Sequence, residues 1–514
     1  MTRPATLPTD RLASAGATPY PASRADVDGA VLALERGPYG KRLLIAAEQG
    51  SGLHGRFDGV PAGDAAGVSV LRCPLTAANA AALREVLPDL APRPLGLTTS
   101  AGFGDRLGLA TPGHARSLGS AGAAGGLVAP IFAQQSIREM TRTRRSPTEV
   151  LADATWGAFE AGWRGPLGAD ADHLKTVADV DACVDAGFSF FTIDPGAHVD
   201  DGAAGLGESG LSEKLDALPW EALGTTRGDL ERAYVDRRVA LESETLTLSK
   251  QQVWRAAAKY GAALAHVATL YRHLLSRMAS NPDAFDFEVS VDETDSPTSP
   301  AEHAFVALEL ARLGVTWVSL APRFPGRFEK GVDYIGDIGE LTAELKRHAE
   351  IARALGPYKL SLHSGSDKFR VYGPFTAATG GLAHLKTAGT SYLEALRVIA
   401  ATSPALFREI LSFARVRYPT DRASYHISAR LDRVPADRDL ADGDLPGLVG
   451  AFDARQVLHV TFGSVLEGFG EPIRAELIAH EGEHYAALEA HFVKHVAPFA
   501  EAAAAGSPAT GGPL

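Results

Sequence analysis

Short apolar runs recur along most of the chain, and each run ends in polar or charged residues. The segments between them carry apolar residues at helical spacing, as in "AEHAFVALELARLG" and "IGELTAELKRHAEIARALG". Strands that alternate with amphipathic helices are typical of parallel βαβ units. The runs predicted as strands are "LGLTTS" (95–100), "GPLGADADH" (165–173), "FSFFTIDP" (188–195), "FEVSVDE" (287–293), "VTWVSLAP" (315–322), "KLSLHSG" (359–365), "LAHLKTAG" (382–389) and "VLHVTFG" (457–463).

About eight such strands predict an α/β protein, a (β/α)8 TIM-type barrel with a small N-terminal α+β module and helical insertions. A doubly wound open sheet is the structural alternative. The predicted divisions are a disordered N-terminus at 1–24, the α+β module at 25–94, the barrel at 95–497 and a disordered tail at 498–514. Insertions are expected at 200–284 and 402–455, where they would cover the active face.

Composition limits the kind of partner and the compartment. The chain has 514 residues, 45% of them hydrophobic, and a formal net charge of -12, which disfavours nucleic acid as a partner. No apolar run reaches the roughly 18 residues of a membrane span, and the N-terminus lacks the apolar core of a signal peptide. Two isolated cysteines argue against a disulfide framework. We expect a cytoplasmic protein with a small-molecule substrate, and a homo-oligomer is compatible with the sequence.

The ends of the predicted strands are unusually polar, and in a barrel those ends form the active site. Taken singly, each residue has a plainer explanation. A strand-end aspartate is as often a helix cap as a ligand, and His459 also fits a buried structural histidine. Arg323 and Lys386 also fit ion pairs, and His426 also fits an ordinary loop residue. The set of polar strand-end and insertion residues is Asp172, His173, Glu293, Arg323, Glu329, His363, Asp367, Lys368, Lys386, His426 and His459.

Histidines and carboxylates that converge from several strand ends predict a divalent metal site. Imidazole together with carboxylate suits Mn, Fe, Co, Ni or Zn better than Mg or Ca. No nicotinamide is expected, because the sequence lacks a dinucleotide-binding fingerprint. The segment "HEGEHYAALEAH" (480–491) lacks the HExxH spacing and is expected to pack or to be solvated.

Several long motifs are spread over most of the predicted strands. They are "GADADHLKT", "FFTIDP", "APRFPGRFEKGVDYIGD", "KLSLHSGSDKF", "SYHIS" and "RQVLHVTFGS". Together they resemble the tagaturonate epimerase family, whose members interconvert D-tagaturonate and D-fructuronate; the resemblance covers about Gly96 to His491. It implies a metal-dependent barrel, and because some relatives act on tagatose and fructose, it leaves the exact substrate open.

The resemblance also implies roles for particular residues. Asp172 and His173 would be an acid/base group and a metal ligand, and His363 a second metal ligand. We assign Glu293 as the opposing acid/base group, and Glu329 as a third metal ligand with His459 as its competitor. Arg323, Lys368 and Lys386 are the candidates for binding a substrate carboxylate. Asp367 and His426 are expected to contact the sugar, although Asp367 also fits a turn cap.

The reaction of such enzymes restricts the mechanism. The two uronates differ at C4, which lies β to the ketone, so simple proton abstraction at carbon does not suffice. Retro-aldol cleavage of the C3–C4 bond, with a metal stabilising the enediolate, is favoured over transient oxidation at C4. The alternatives are a C4 epimerase of neutral ketohexoses and another metal-dependent sugar isomerase or aldolase.

Overall fold

The N-terminal module is an antiparallel sheet with one helix. In the computed structural model, which describes residues 18–37, 40–48, 50–65, 68–122 and 127–506, its strands lie in the order β1-β2-β3-β5-β4. They are β1 (Thr18–Val27), β2 (Ala30–Gly37), β3 (Gly40–Glu48), β4 (Val60–Ala65) and β5 (Val68–Cys73), followed by α1 (Ala77–Val86). The Thr76 side chain caps α1 by accepting from the Asn79 N–H.

A closed barrel of eight parallel strands follows, which confirms the predicted fold class. Its strands, in chain order around the barrel, are β6 (Ser100–Phe103), β7 (Ala129–Ser136), β8 (Gly168–Leu174), β9 (Phe190–Ile193), β12 (Asp286–Val291), β13 (Ser319–Pro322), β14 (Lys359–Leu362) and β15 (Ala383–Thr387). Between β9 and β12 the chain adds a two-stranded hairpin, β10 (Arg238–Ala240) and β11 (Thr245–Thr247).

Amphipathic helices surround the barrel, and several begin at the capping boxes that the sequence contains. Ser146 with Glu149 and Ser299 with Glu302 are two such boxes. The helices of the outer layer are α2 (Thr111–Ser120), α3 (Ile137–Thr143), α4 (Pro147–Glu160), α5 (Val177–Ala186), α9 (Lys250–Arg277), α10 (Pro300–Arg312), α11 (Ile338–Leu355), α12 (Phe369–Thr379) and α18 (Glu481–Gly506). The last of these, α18, packs between α12 and α2 and completes the ring.

Two helical insertions depart from a plain barrel. One contains α6 (Glu208–Asp216), α7 (Trp220–Leu223) and α8 (Arg227–Tyr234); the other contains α13 (Thr390–Thr402), α14 (Pro404–Asp421), α15 (Leu445–Leu448), α16 (Phe452–Val460) and α17 (Phe462–Ala479). The second group, which we call the cap, has its own apolar core. Among the described residues no helix is both long and apolar enough to cross a bilayer.

One predicted strand was wrong and another was missed. Residues 457–463 lie in α16 and at the start of α17, not in an eighth strand. The second half of α16, Val457–Val460, is buried and apolar except for His459, so by itself it resembles a short strand. Strand β7, "APIFAQQS", was not predicted because polar residues fill its C-terminal half. The first barrel strand begins at Ser100, five residues after the predicted start at Leu95.

The expected domain boundaries also shift. Residues 18–24 belong to strand β1, and residues 498–506 belong to helix α18, so both differ from the disorder predicted there. Residues 1–17 and 507–514 lie outside the described residues. The 28-residue helix α9, predicted as part of an insertion, packs against α5 and α10 as a barrel helix.

Candidate active site

A cavity of about 460 Å³ opens at the C-terminal ends of the barrel strands. Its walls come from the ends of β7, β8, β12, β14 and β15, from the loop between β13 and α11, and from the cap, through Tyr425, His426 and His459. Arg142 donates a hydrogen bond to the Tyr425 hydroxyl and so ties the cap to the barrel. The cavity is therefore enclosed by two parts of the chain that are far apart in sequence.

Three side chains meet in this cavity as a candidate metal centre: His173, Asp292 and His363. Each offers one ligand atom, and these atoms lie within 4.8 Å of one another. His173 has a left-handed backbone with φ +56°, a conformation that is uncommon outside glycine, so the end of β8 is shaped to turn this ring inward. Two imidazoles and a carboxylate form a ligand set typical of Mn, Fe, Co, Ni or Zn.

A buried carboxylate fixes the orientation of each imidazole. His173 Nδ1 lies 2.7 Å from Asp172 Oδ1, and His363 Nε2 lies 2.7 Å from Glu288 Oε1. Each contact leaves the other ring nitrogen facing the centre, and His363 Nδ1 lies 3.3 Å from Asp292 Oδ1. Metal-bound histidines are held by outer carboxylates in this way. The residues present thus fit a divalent cation.

The charge of the centre supports the same fit. Burial opposes protonation, but the Asp292 and Glu288 carboxylates raise the pKa of His363 to about 10. Burial also opposes protonation of His173, and Asp172 raises the pKa of that imidazole. Without a metal ion, protons would supply the positive charge that these carboxylates require, and a divalent cation would displace them.

Lys386 joins the two outer carboxylates beneath the centre. Its Nζ lies 2.8 Å from an oxygen of each of three acids, Asp170, Asp172 and Glu288. Burial disfavours its charge, yet these carboxylates raise the pKa of Lys386 above its ordinary value. Lys386 touches the cavity wall, but its ammonium is already shared among the carboxylates, which departs from the expected role of binding substrate.

Asp172 and Glu293 differ in how free their carboxylates are. Asp172 bonds His173 and Lys386 through Oδ1 and accepts from Gln134 through Oδ2 at 2.9 Å. Glu293 lies on the cavity wall with 37% of its side chain exposed, and its Oε1 is 3.7 Å from His173 Nε2. Glu293 can therefore reach a bound substrate more readily than Asp172.

The structure does not bring Glu329 or His459 to the metal centre, contrary to expectation. Glu329 Oε2 accepts hydrogen bonds from the Ser428 N–H and from Gln456 Nε2, at 2.9 and 2.8 Å, so its carboxylate links the barrel to the cap. His459 lies on helix α16, in the segment that was predicted to be a strand. It lines the cavity, and neither ring nitrogen has a partner among the described residues.

Asp367 and Lys368 also lie elsewhere than expected, since neither lines the cavity. Lys368 Nζ donates to the backbone carbonyls of Glu329, Val332 and Ser366, and burial lowers the pKa of Lys368 to about 7. Asp367 lies 2.9 Å from Arg455 of the cap and 2.7 Å from His491 of α18. Both side chains therefore hold the loop after β14 in place.

Arg323 and His426 line the cavity as expected, and the wall residues that were not predicted include Gln134, Arg138 and Lys330. Gln134 and Arg138 were not predicted because strand β7, which contains Gln134 and precedes Arg138, was not predicted. Asp292, the third member of the metal centre, was visible in "SVDE" at a strand end, but the sequence does not decide between it and Glu293.

Comparison with known proteins places this geometry in context. A family model described as "UxaE: tagaturonate epimerase" matches residues 20–499. A "Tagaturonate/fructuronate epimerase" from Thermotoga maritima is 46% identical over 434 residues, which are 84% of this chain and 87% of that protein. The native crystal structure of fructuronate-tagaturonate epimerase UxaE from Cohnella laeviribosi is 35% identical, with a TM-score of 0.87, and the match covers 96% of this chain and 98% of that one. A glycerol complex of that enzyme matches with the same TM-score and coverage at 34% identity.

Proposed function

Because the chain belongs to the tagaturonate epimerase family and is thus a carbohydrate epimerase, we propose that it interconverts D-tagaturonate and D-fructuronate. The names of its relatives in Thermotoga maritima and Cohnella laeviribosi support this substrate pair. The cavity supports it too, because Arg323 and Lys330 line its wall and, in the described part of the chain, have no carboxylate oxygen within 4.0 Å.

We further propose that His173, Asp292 and His363 hold a divalent cation. The observation that carries this proposal is the orientation of the two imidazoles. In each ring a carboxylate contacts one nitrogen, and the other nitrogen faces the shared centre. When bound, the cation would stabilise negative charge on a substrate oxygen. Manganese, iron, cobalt, nickel and zinc all suit these ligands.

The proposed chemistry is retro-aldol cleavage followed by aldol re-addition. With carbons numbered from the ketose end, a base takes the proton of the C4 hydroxyl, the C3–C4 bond breaks, and C4 becomes an aldehyde. The electron pair of the broken bond moves to C3 and is delocalised onto the ketone oxygen. The aldehyde rotates, C3 attacks its other face, and the C4 oxygen takes back a proton, which inverts C4.

We assign Glu293 as the group that moves the proton of the C4 hydroxyl, because its carboxylate faces the cavity and its nearest cations among the described residues are 3.7–3.8 Å away. Asp172 fits a positioning role better than the expected acid/base role. Burial would raise its pKa, but His173 and Lys386 hold the pKa of Asp172 well below its ordinary value, which makes it a weak base.

The test is turnover of D-tagaturonate, D-fructuronate, D-tagatose and D-fructose by the purified protein, side by side, before and after removal of metal. We expect uronate interconversion that chelation abolishes and that Mn²⁺, Co²⁺, Ni²⁺ or Zn²⁺ restores. Uronate activity that survives exhaustive demetallation would refute the metal centre. Turnover of the neutral ketoses alone would refute the uronate assignment.

A further inference from the structure

Two of the cations that line the cavity have no acidic partner in the described part of the chain. Six arginine and lysine side chains line it, and four of them have a carboxylate oxygen within 4.0 Å: Arg106, Arg138, Arg327 and Lys386. Among the residues that the structure describes, no carboxylate lies within that distance of Arg323 or Lys330. An uncompensated cation in a partly desolvated site is unfavourable unless a ligand supplies the negative charge.

Arg323 is held at the end of β13 by its backbone, while its guanidinium has no partner among the residues that the structure describes. The Arg323 N–H donates to Thr298 Oγ1 at 3.0 Å, and the Arg323 carbonyl accepts from the Thr298 N–H at 2.8 Å. The Nε of Arg323 is buried, and no protein acceptor among the described residues reaches it. A planar guanidinium with free donors is the side chain best suited to a carboxylate.

Lys330 lies on the same loop, between β13 and α11, and also faces the cavity. The Lys330 Nζ makes one hydrogen bond, to Ser364 Oγ at 2.7 Å, next to the candidate ligand His363. Two of its three N–H bonds therefore have no acceptor in the described part of the chain. Burial lowers the pKa of Lys330, and Arg138 lowers it further, so this ammonium would gain from a nearby anion.

We propose that Arg323 and Lys330 form the subsite that binds the substrate carboxylate, and that this pair selects hexuronates over neutral ketohexoses. The inference rests on the proposed function. In the retro-aldol route the carboxylate belongs to the C4–C6 fragment, so the same pair would retain that fragment while its aldehyde turns. A neutral ketose has a hydroxymethyl group at this end and would leave both cations unpaired. Because unpaired buried polar groups are costly, such a subsite discriminates strongly against the neutral sugar.

The test compares Arg323→Met, Lys330→Met and the double variant with a control, Lys346→Met, on the surface of α11. Each charge-assisted hydrogen bond to the carboxylate corresponds to a loss of roughly 10- to 100-fold. We expect kcat/KM for D-tagaturonate to fall by that factor in each single variant and further in the double variant. For D-tagatose, kcat/KM should change less than about threefold. The affinity for Mn²⁺, measured by calorimetry, should stay within threefold of the parent.

Inhibition supplies a second readout that does not depend on turnover of a neutral ketose. D-galactonate and galactitol differ only in the carboxylate, so the variants should weaken inhibition by the acid and leave inhibition by the alcohol unchanged. Equal losses for both inhibitors, or for both substrates, would overturn the subsite while leaving the proposed function intact. A parent enzyme that does not interconvert the uronates would instead refute the proposed function.

Discussion

Replacing Lys386 with methionine tests whether this lysine holds the base of the site together. Its side chain is 3% exposed, and its ammonium is 2.8 Å from each of three buried carboxylates. Methionine keeps most of the volume but leaves those acids without their shared cation. Removing one partner of a buried ion pair costs about 3–5 kcal/mol, so the free energy of unfolding should fall by about that amount.

Urea unfolding of the metal-free protein, followed by circular dichroism, measures this loss. The matched control is Lys346→Met, because Lys346 is 66% exposed and lies 4.0 Å from Glu350; a change below about 0.5 kcal/mol is expected there. Adding Asp170→Asn to Lys386→Met should restore part of the stability, since it removes one uncompensated acid. A loss below about 1 kcal/mol, or no rescue, would refute the reasoning.

Four further predictions concern single residues. Asp292→Asn should weaken Mn²⁺ binding by at least tenfold in a calorimetric titration, because it removes an anionic ligand. Glu293→Gln should lower kcat by roughly 10²- to 10⁴-fold and leave Mn²⁺ affinity unchanged, and an unaffected kcat would exclude its acid/base role. Lys368→Met should lower the urea midpoint, because three buried carbonyls lose their donor. Burial lowers the pKa of His348 from 6.5 to about 4, so as the pH falls through this range the unfolded chain binds a proton there before the folded chain does. This residue should contribute about 3 kcal/mol to the loss of stability between pH 6.5 and 4, so the loss measured by urea unfolding should be smaller by about that amount in His348→Gln.

The alternation of apolar runs and amphipathic segments was sufficient to predict the barrel, because closure depends on a repeated pattern and tolerates local errors. Two errors offset each other in the strand count. The end of α16 is a short, buried, mainly apolar run, and β7 ends in polar residues, so neither shows the periodicity that identifies its class. The role of α18 as the ring-closing helix could not be predicted, because the cap separates it from β15 along the chain.

The sequence correctly predicted the site residues that lie at strand ends. It did not correctly predict residues whose positions depend on the conformation of the loops. His173 is the penultimate residue of β8 and His363 directly follows β14, so the barrel brings them to one edge. Glu329 and Lys368 lie farther on, seven and six residues beyond the ends of β13 and β14. Their partners are a cap segment and backbone carbonyls of a neighbouring loop, which periodicity does not reveal.

The most direct test of the account is the location of the metal in active enzyme. Crystals of zinc-loaded protein that interconverts the uronates should give one strong anomalous peak in the cavity, measured at the zinc absorption edge. We predict that the peak lies about 2.0–2.2 Å from His173 Nε2, His363 Nδ1 and an Asp292 oxygen. A peak among Asp367, His491 and His495, or active crystals with no peak in the cavity, would contradict the account.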